Sequence, residues 1–333
     1  MAAGSIYSRV LLPKNEVQAV FSMDGSRYLL FGMEYGLFRA LAFVLSFIPL
    51  SGCYKMADFF GAFAFRVLGI RRGIMLQNLR SAFGSGKSES ELYAIAEASM
   101  RNLLKLALEF IRTPQVSKNP ERYIEPPDMS PLLDAVAKHG NFIAVVSHFG
   151  NWEWLAIPLK PFGLFTHAIG RPLKNPYLYR YIKKTREAAN LKNIDKAGAV
   201  GESIRVLKQK GILAVLIDQH ESRGAVWVDF FGRKASTSTL PAMLALKYGC
   251  PVLPAFFYRN ENGCSRIQYG PAFPLIRSGH LQEDLLANTQ QYVSKIEEEI
   301  RKRPGDWLWA HRRWRKPKER ALRQPVSQKR NKS

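Results

Sequence analysis

The sequence predicts an α/β fold in which helices flank a mixed, largely parallel central sheet. Two observations support this. Short apolar runs of the buried-strand type alternate with helical stretches in the second half of the chain, and 47% hydrophobic with 23% charged residues is normal for a packed protein. A third observation, a long apolar stretch near the start, predicts a separate N-terminal helical region.

The first apolar stretch, residues 29–50, is long enough for a helix to cross a hydrocarbon core about 30 Å thick. It contains Glu34 and Arg39, and a charge at the centre of a spanning helix costs roughly 2.5–3.5 kcal/mol. We therefore expect a membrane anchor that inserts obliquely or lies in the interface, with residues 56–70 packed beside it. A buried pair of core helices is the alternative. Residues 1–70 form this anchoring region.

The α/β domain is expected over residues 71–315. Its first part, 71–112, is amphipathic and predicts two helices broken near residue 84, followed by a linker or irregular crossing over 114–131. Buried strands are then expected at 142–147, 165–169, 212–217 and 251–257, with further edge strands at 226–230 and 265–269. Helices are expected between the strands at 177–190, 200–210 and 239–248.

The formal net charge of +22, with a pI near 10.0, indicates an anionic partner: nucleic acid, an anionic membrane surface, or an acidic protein or substrate. From residue 301 onward, 13 lysines and arginines accompany only two acidic residues, which predicts a disordered basic tail over 316–333. Trp307, Trp309 and Trp314 stand among these charges. Because tryptophan is favoured where one end of a side chain is apolar and the other wet, we expect this segment to contact a membrane surface.

The cysteines Cys53, Cys250 and Cys264 are widely spaced and form no CxxC pair. Neither a disulfide framework nor a zinc site is predicted, and a reducing cytoplasmic environment is the simplest interpretation. We expect no metal and no cofactor.

The most informative segment is the hexapeptide HFGNWE at residues 148–153, which follows directly on the first predicted strand. Ligands and catalytic groups collect at the carboxyl ends of strands in open α/β sheets. On a regular helix His148 and Glu153 would lie about 140° apart, so they can meet only if the residues between them form a turn. Gly150 and Asn151 permit one.

Such a pair would suit acyl transfer. A histidine can accept a proton from a hydroxyl as that oxygen attacks a carbonyl, and a carboxylate on its second ring nitrogen fixes the tautomer. We expect Glu153 to hold His148 in this way. Since no serine or cysteine adjoins the pair, the hydroxyl of the substrate should attack directly, with no acyl-enzyme. A histidine beside aromatic residues is equally typical of a buried core position.

The hexapeptide resembles the His-x4-acid signature of glycerolipid acyltransferases, in the glutamate form of the lauroyl and myristoyl acyltransferases of lipid A biosynthesis. Further stretches resemble that family in the same order along nearly the whole chain. They are Ile74 with Asn78, Leu79 and Phe83; Arg171-Pro172 with Asn175-Pro176 and Arg186; Asp218-Gln219; Phe230-Phe231-Gly232 with Thr237; Gly249 to Val252 with Pro254; and Trp307 with Trp309, His311 and Arg313.

The resemblance implies a glycerol-3-phosphate-acyltransferase-like fold and an O-acyltransferase at the cytoplasmic face of a bacterial inner membrane. It would take a fatty acyl chain from acyl carrier protein and place it on a lipid A precursor during lipopolysaccharide biosynthesis. Its partners would be acyl carrier protein, a glycolipid acceptor and anionic membrane lipids, without nucleic acid. The resemblance assigns catalysis to His148 and Glu153.

Six further residues are substrate-binding candidates by the same resemblance: Asn151, Arg171, Asn175, Arg186, Asp218 and Gln219. An arginine suits a phosphate or an oxyanion because its planar fork donates two parallel hydrogen bonds. Arg186 is the expected residue, although Arg171 and Arg180 lie nearby and an exposed helical charge is the alternative. Asp218 could equally cap the turn after its strand.

Other functions are also compatible with the sequence. The acceptor could be a lysophospholipid or another glycolipid, and the donor could be acyl coenzyme A, because the positive charge suits all of these. From a different class, the chain could be a non-catalytic basic protein that binds membranes or nucleic acid. The apolar residues Phe230, Phe231, Leu240, Met243 and Leu244 fit an acyl slot or a packed core equally well. The hydroxyl position and chain length are not encoded in any motif.

Overall fold

A computed structural model of the chain describes residues 25–260 and 263–315. Within these residues the α-helices, in chain order, are α1 (Gly25–Ser46), α2 (Leu50–Arg66), α3 (Arg72–Phe83), α4 (Glu89–Val116), α5 (Ser130–His139), α6 (Pro176–Ala188), α7 (Ala199–Lys208), α8 (Leu240–Tyr248) and α9 (Leu281–Lys302). The predicted basic tail, 316–333, lies outside the described residues.

The strands are β1 (Ile143–Val146), β2 (Thr166–Gly170), β3 (Leu191–Asp195), β4 (Ile212–Leu216), β5 (Ala225–Phe230), β6 (Arg233–Ser238), β7 (Val252–Arg259) and β8 (Ser265–Tyr269). Six of them form one sheet in the order β3-β2-β4-β1-β7-β8, and β5 pairs with β6 as a separate antiparallel hairpin. All neighbours in the large sheet are parallel except β7 and β8. The predicted fold class, a mixed and largely parallel sheet flanked by helices, is confirmed.

The two faces of the large sheet are packed differently. Ile143 and Val145 of β1 belong to a continuous core that includes apolar residues of α3, α4, α7, α8 and α9. Ala144 and Val146, which alternate with them, face a second cluster formed by α5 and the irregular segment after β1. Both faces are therefore covered, as expected for a parallel sheet.

The tryptophans of the carboxyl-terminal segment do not lie at a surface. Trp307 is 1% exposed and Trp309 is completely buried, and both belong to the first core cluster. Trp314 packs against that cluster and stacks on Phe230 at 5.6 Å. The expectation that these residues contact a membrane is therefore wrong for Trp307 and Trp309, because the segment turns back into the protein core.

The N-terminal helices carry a large exposed apolar surface. Residues 26–46 form a helix that is long and apolar enough to cross a membrane. Two of the three charged residues of that helix have polar or aromatic partners. Glu34 accepts a hydrogen bond from Asn175 at 2.9 Å, and Arg39 contacts Tyr35 and the ring of Tyr181. The helix thus presents these two charges to α6, whereas Arg27 and many apolar side chains are exposed.

The turn between α1 and α2 is fixed by a single buried arginine of α4. Arg112 donates hydrogen bonds to the carbonyl oxygens of Leu45 at 3.0 Å and Ile48 at 2.5 Å. These carbonyls lie at the end of α1, where backbone acceptors lack helical partners and a cation is favoured. Arg112 therefore joins the apolar helices to the α/β part of the chain.

Candidate active site

The imidazole of His148 is held by a carboxylate from the neighbouring strand. His148 follows β1 and Asp218 follows β4, and these two strands are parallel neighbours, so their carboxyl ends lie side by side. The His148 Nδ1 lies 2.8 Å from Asp218 Oδ1, and the backbone N–H of His148 donates to Asp218 Oδ2 at 2.7 Å. Asp218 thus fixes both the ring and the backbone of the histidine.

Asp218 is completely enclosed and remains a carboxylate. Burial alone would raise its pKa, but His148 and the N–H of Trp307, which donates to Oδ2 at 2.7 Å, hold the pKa below its usual value. An ionised Asp218 accepts the Nδ1 proton of His148. The lone pair of the neutral ring is then on Nε2, which is the arrangement that a general base requires.

The second ring nitrogen of His148 contacts a side-chain amide, and the ring is partly exposed. Nε2 lies 3.1 Å from the side-chain nitrogen of Gln219, and the ring packs edge-on against Trp152 with centroids 4.7 Å apart. The side chain of His148 is 18% exposed, whereas that of Asp218 is 1% exposed. The base is accessible while its partner is not.

Glu153 does not contact His148. It forms a two-pronged ion pair with Arg186 of α6, with Nε–Oε2 at 2.8 Å and Nη2–Oε1 at 2.6 Å. Arg186 also donates to Asn193 at 2.6 Å. The predicted contact between Glu153 and the imidazole is wrong: the segment after Gly150 makes a 3₁₀ turn, Trp152–Trp154, that directs Glu153 away from the ring. The guanidinium group of Arg186, which was predicted to bind phosphate, instead binds Glu153.

Two of the predicted substrate-binding residues have structural partners. Asn151 is completely buried, accepts the N–H of Glu153 at 3.1 Å and donates to Glu109 at 2.9 Å. Asn175 caps α6 by accepting two backbone N–H groups, and its amide donates to the carbonyl of Phe31 at 3.0 Å. The structure therefore shows a turn former and a helix cap at these positions. The third candidate, Arg171, is exposed.

The carboxyl-terminal segment completes the histidine site. The backbone N–H of Leu308 donates to the carbonyl of His148 at 3.0 Å. The backbone N–H of Gly150 donates to the carbonyl of Asp306 at 2.9 Å. Gly150 has a φ of +60°, and a Cβ there would lie 2.3 Å from the carbonyl oxygen of Phe257. Only glycine fits this position, because the backbone is left-handed and a neighbouring strand approaches closely.

A buried arginine steadies the other side of the site. Arg313 is fully buried, lies over the ring of Phe230 and donates to the backbone carbonyls of Gln219 at 3.2 Å and Ser236 at 2.6 Å. Burial lowers its pKa to about 10, a direction that the nearby Asp218 opposes. Arg313 thereby fixes the Asp218-Gln219 turn against the β5–β6 hairpin.

An apolar cavity, whose lining includes Glu153 and Arg186, lies on the second face of the sheet. It is narrow, about 40 Å³, so a bound chain must displace some of the side chains that line it. Its walls come from residues of six strands and from the segment after β1. They include Trp152, Ala144, Val146, Ala168, Ile212, Ala214, Leu253, Ala255 and Leu159. The predicted slot residues Phe230, Phe231 and Leu244 instead lie in the core on the opposite face.

Comparison with known proteins gives this architecture a family. A sequence description of the bacterial lipid A biosynthesis acyltransferases matches residues 26–316, which is most of the chain. The chain belongs to this acyltransferase family. The resemblance noted from the sequence motifs is confirmed.

Curated relatives of the chain include the phosphatidylinositol mannoside acyltransferases of two mycobacteria. The protein of Mycobacterium tuberculosis strain H37Rv is 27% identical over 188 residues, and that of Mycolicibacterium smegmatis is 24% identical over 192 residues. These alignments cover 55% and 56% of this chain and 57% and 61% of the relatives. The chain thus spans little more than half the length of the relatives that it matches.

Among solved structures, the 1-acyl-sn-glycerophosphate acyltransferase PlsC of Thermotoga maritima aligns with 78% of this chain and 99% of its own. The identity is 16% and the TM-score 0.32. The fold class is established by the strand order of the chain itself.

Reasoning from the sequence singled out two residues of the site but did not predict their contacts. Asp218 was expected to bind substrate or cap a turn, whereas it is the carboxylate that contacts His148. Trp307 was expected at a membrane surface, whereas its N–H binds Asp218. The available signal was position: His148 and Asp218 each follow a buried strand by one or two residues, and parallel neighbours bring such positions together.

Proposed function

We propose that this acyltransferase moves a fatty acyl chain from the thioester of acyl carrier protein to a hydroxyl of a lipid A precursor, with His148 as general base. The observation that carries the proposal is the 2.8 Å contact between His148 Nδ1 and Asp218 Oδ1, which leaves Nε2 as the proton acceptor. Membership of the lipid A acyltransferase family supports the choice of acceptor.

The reaction is a direct transfer in this proposal. The acceptor O–H gives its proton to His148 Nε2 as the oxygen forms a bond to the thioester carbonyl carbon. The resulting imidazolium is stabilised by the ionised Asp218. When the tetrahedral intermediate collapses, the C–S bond breaks and the departing thiolate takes the proton from Nε2. Each proton and bond is thereby accounted for without a covalent acyl-enzyme.

Gln219 must move for this chemistry to begin. Its side-chain nitrogen lies 3.1 Å from His148 Nε2, where the acceptor hydroxyl has to bind. The backbone of Gln219 is held by Arg313, so rotation of the side chain alone can free the nitrogen. The displaced amide N–H is then a nearby donor for the charge that develops on the carbonyl oxygen.

The acyl chain would occupy the apolar cavity whose lining includes Glu153 and Arg186. Trp152 lines this cavity and also contacts the ring of His148, so a thioester at the cavity mouth would lie next to the base. The walls are mostly apolar, as required to bury methylene groups at about 0.8 kcal/mol each. In this proposal Glu153 and Arg186 shape the mouth and do not transfer the proton.

The exposed apolar residues of α1 and α2 support attachment to a membrane. They include Leu29, Leu30, Met33, Leu37, Leu41, Phe43, Val44, Phe59, Phe60 and Phe63. Contiguous apolar surface of this extent is typical of membrane contact. The excess positive charge favours an anionic lipid surface, and three free cysteines favour the reducing cytoplasmic side. We place the enzyme at the cytoplasmic face of a bacterial inner membrane.

A second acceptor is favoured by a specific observation. The curated relatives named above are phosphatidylinositol mannoside acyltransferases, whose acceptor is a mannosylated phospholipid. The alternative function is therefore acyl transfer to a glycolipid other than a lipid A precursor. The chemistry at His148 is the same for both acceptors.

The decisive test uses purified full-length protein in detergent with acyl carrier protein carrying a labelled acyl chain. We expect label to enter a lipid A precursor, and mass spectrometry of the product to show one added ester. His148→Ala should abolish this transfer while the melting temperature is retained. Transfer to phosphatidylinositol mannoside alone would establish the second acceptor, and equal turnover by His148→Ala would disprove the mechanism.

A further inference from the structure

A polar pocket of about 390 Å³ lies beside the carboxyl-terminal segment and shares no residue with the apolar cavity. It is formed by one side of α3, the tip of the β5–β6 hairpin and the last described residues. The lining residues are Gln77, Asn78, Ser81, Arg233, Arg312, Trp314 and Arg315. None of them is acidic, so the pocket has three positive charges and no negative one.

The three arginines have no compensating acid in the described structure. Among residues 25–260 and 263–315, no carboxylate forms an ion pair with Arg233, Arg312 or Arg315. Three like charges around one pocket repel one another, and an anion bound between them would relieve that repulsion. The indole N–H of Trp314 is buried and also lacks a hydrogen-bond partner within the described ranges, which leaves one more donor in the pocket wall.

Hydrogen bonds connect the pocket to the histidine site, starting from Asn78. Asn78, which lines the pocket, donates to the carbonyl oxygens of Trp309 at 2.8 Å and His311 at 2.6 Å. The ring of His311 in turn accepts the backbone N–H of His220 at 3.3 Å, directly after Gln219. The 309–311 segment therefore contacts both the pocket wall and the strand end that carries Asp218 and Gln219.

We propose that Arg233, Arg312 and Arg315 bind a phosphate ester carried by one of the two substrates. Guanidinium groups match phosphate because their planar forks donate parallel hydrogen bonds. The inference rests on the proposed function, because the phosphate belongs to a substrate whose reacting group reaches His148. Its source is either the pantetheine arm of the acyl donor or a phosphorylated sugar of the acceptor. Arg186 cannot take this role while Glu153 occupies its fork.

The test measures binding directly, with the full chain in detergent and two soluble probes. The donor-side probe is 4′-phosphopantetheine and the acceptor-side probe is glucose 1-phosphate, each compared with its dephosphorylated form by calorimetry. We expect one phosphorylated probe to bind measurably more tightly than its counterpart, and its identity gives the source. Arg233→Ala and Arg312→Ala should each weaken that binding about tenfold.

Arg122→Ala is the matched control, because Arg122 is an exposed arginine outside the pocket and forms no ion pair in the described ranges. It should bind the probe like wild type. The proposal is overturned if neither phosphorylated probe binds better than its counterpart, or if Arg122→Ala weakens binding as much as Arg233→Ala. His148→Ala should keep probe binding. Arginine-dependent probe binding by a protein that transfers no acyl chain would refute the proposed function and leave the phosphate site standing.

Discussion

The two ends of the 148–153 segment illustrate how one short motif serves two tasks. At the first end, the imidazole of His148 contacts the buried carboxylate of Asp218 and stays accessible through Nε2. At the other end, Glu153 forms an ion pair with Arg186, and both residues line an apolar cavity. The comparison shows that the two residues of a His-x4-acid motif need not contact each other. In the mechanism proposed above, the first end would transfer the proton and the other would shape the site.

The largest effect is expected at the histidine end. Asp218→Asn should lower kcat by about four orders of magnitude, because an amide that donates to Nδ1 places the remaining ring proton on Nε2 and removes the base. The measurement is kcat with labelled acyl carrier protein, beside the melting temperature. Glu153→Gln is the control for loss of a carboxylate near the motif. If Glu153→Gln reduced kcat as much as Asp218→Asn, the division between the two ends would be wrong.

A large effect on stability is expected at the glutamate end. Glu153→Ala and Arg186→Ala should each lower the free energy of unfolding by about 3–5 kcal/mol, since each leaves a buried charge without its partner. The double variant should lose much less than the sum of the single losses. Urea denaturation of the four proteins measures this coupling. Additive losses would mean that the pair does not act as a unit.

A smaller, selective effect is expected inside the cavity. Ala214→Leu should shift the ratio of kcat/KM values toward shorter acyl chains by roughly tenfold, because the added side chain fills a narrow apolar wall. Ala242→Leu is the matched control. It adds the same volume to the core on the opposite face and should destabilise by about 1–3 kcal/mol without changing chain preference. An unchanged preference in Ala214→Leu would exclude the cavity as the acyl site.

The smallest effect concerns pH near the histidine end. Burial, helped by Arg315 and His148, lowers the pKa of His311 to about 4. Because the unfolded chain has the ordinary value near 6.5, it binds more protons than the folded chain between pH 6.5 and 4. The contribution to stability is complete above pH 6.5 and is lost as the pH falls toward 4. His311→Gln should flatten the unfolding free energy across this window, and an unchanged slope would contradict the assignment.

Much of the fold was predictable because the central strands are continuous apolar runs. β1, β4 and β7 were recognised from composition, and His148 was placed at a strand end from the chain order alone. β3 was missed because Lys192, Asn193 and Asp195 interrupt it at the edge of the sheet, where polar residues are tolerated. β6 was missed because its side chains are small or basic and form no apolar run. The strand pairs only with β5, in the hairpin.

The helices around residue 120 were also mispredicted. The proline-rich stretch was expected to be a linker, yet α4 continues through Pro114 to Val116 and α5 begins at Ser130 with a proline at its start. Proline is tolerated in the first turn of a helix, which accounts for α5.

The contact between His148 and Asp218 could not be predicted, since it depends on which strands are neighbours. The order β2-β4-β1-β7 joins residues 70 positions apart in the chain. Spacing within a motif carries no information about that order. The same limit explains Glu153: a turn between it and His148 was foreseen, but its direction is set by Glu109 and Arg186, which lie on separate helices.

The return of the final segment to the first strand has a consequence for biosynthesis. Trp307 supplies a hydrogen bond to Asp218, and the backbone beside it closes on His148 and Gly150. Because a ribosome makes the chain from its amino end, the apolar helices and the histidine emerge long before the residue that completes the site. A nascent polypeptide that lacks Trp307 therefore already has its apolar helices and His148, but not the hydrogen bonds that would complete the proposed site.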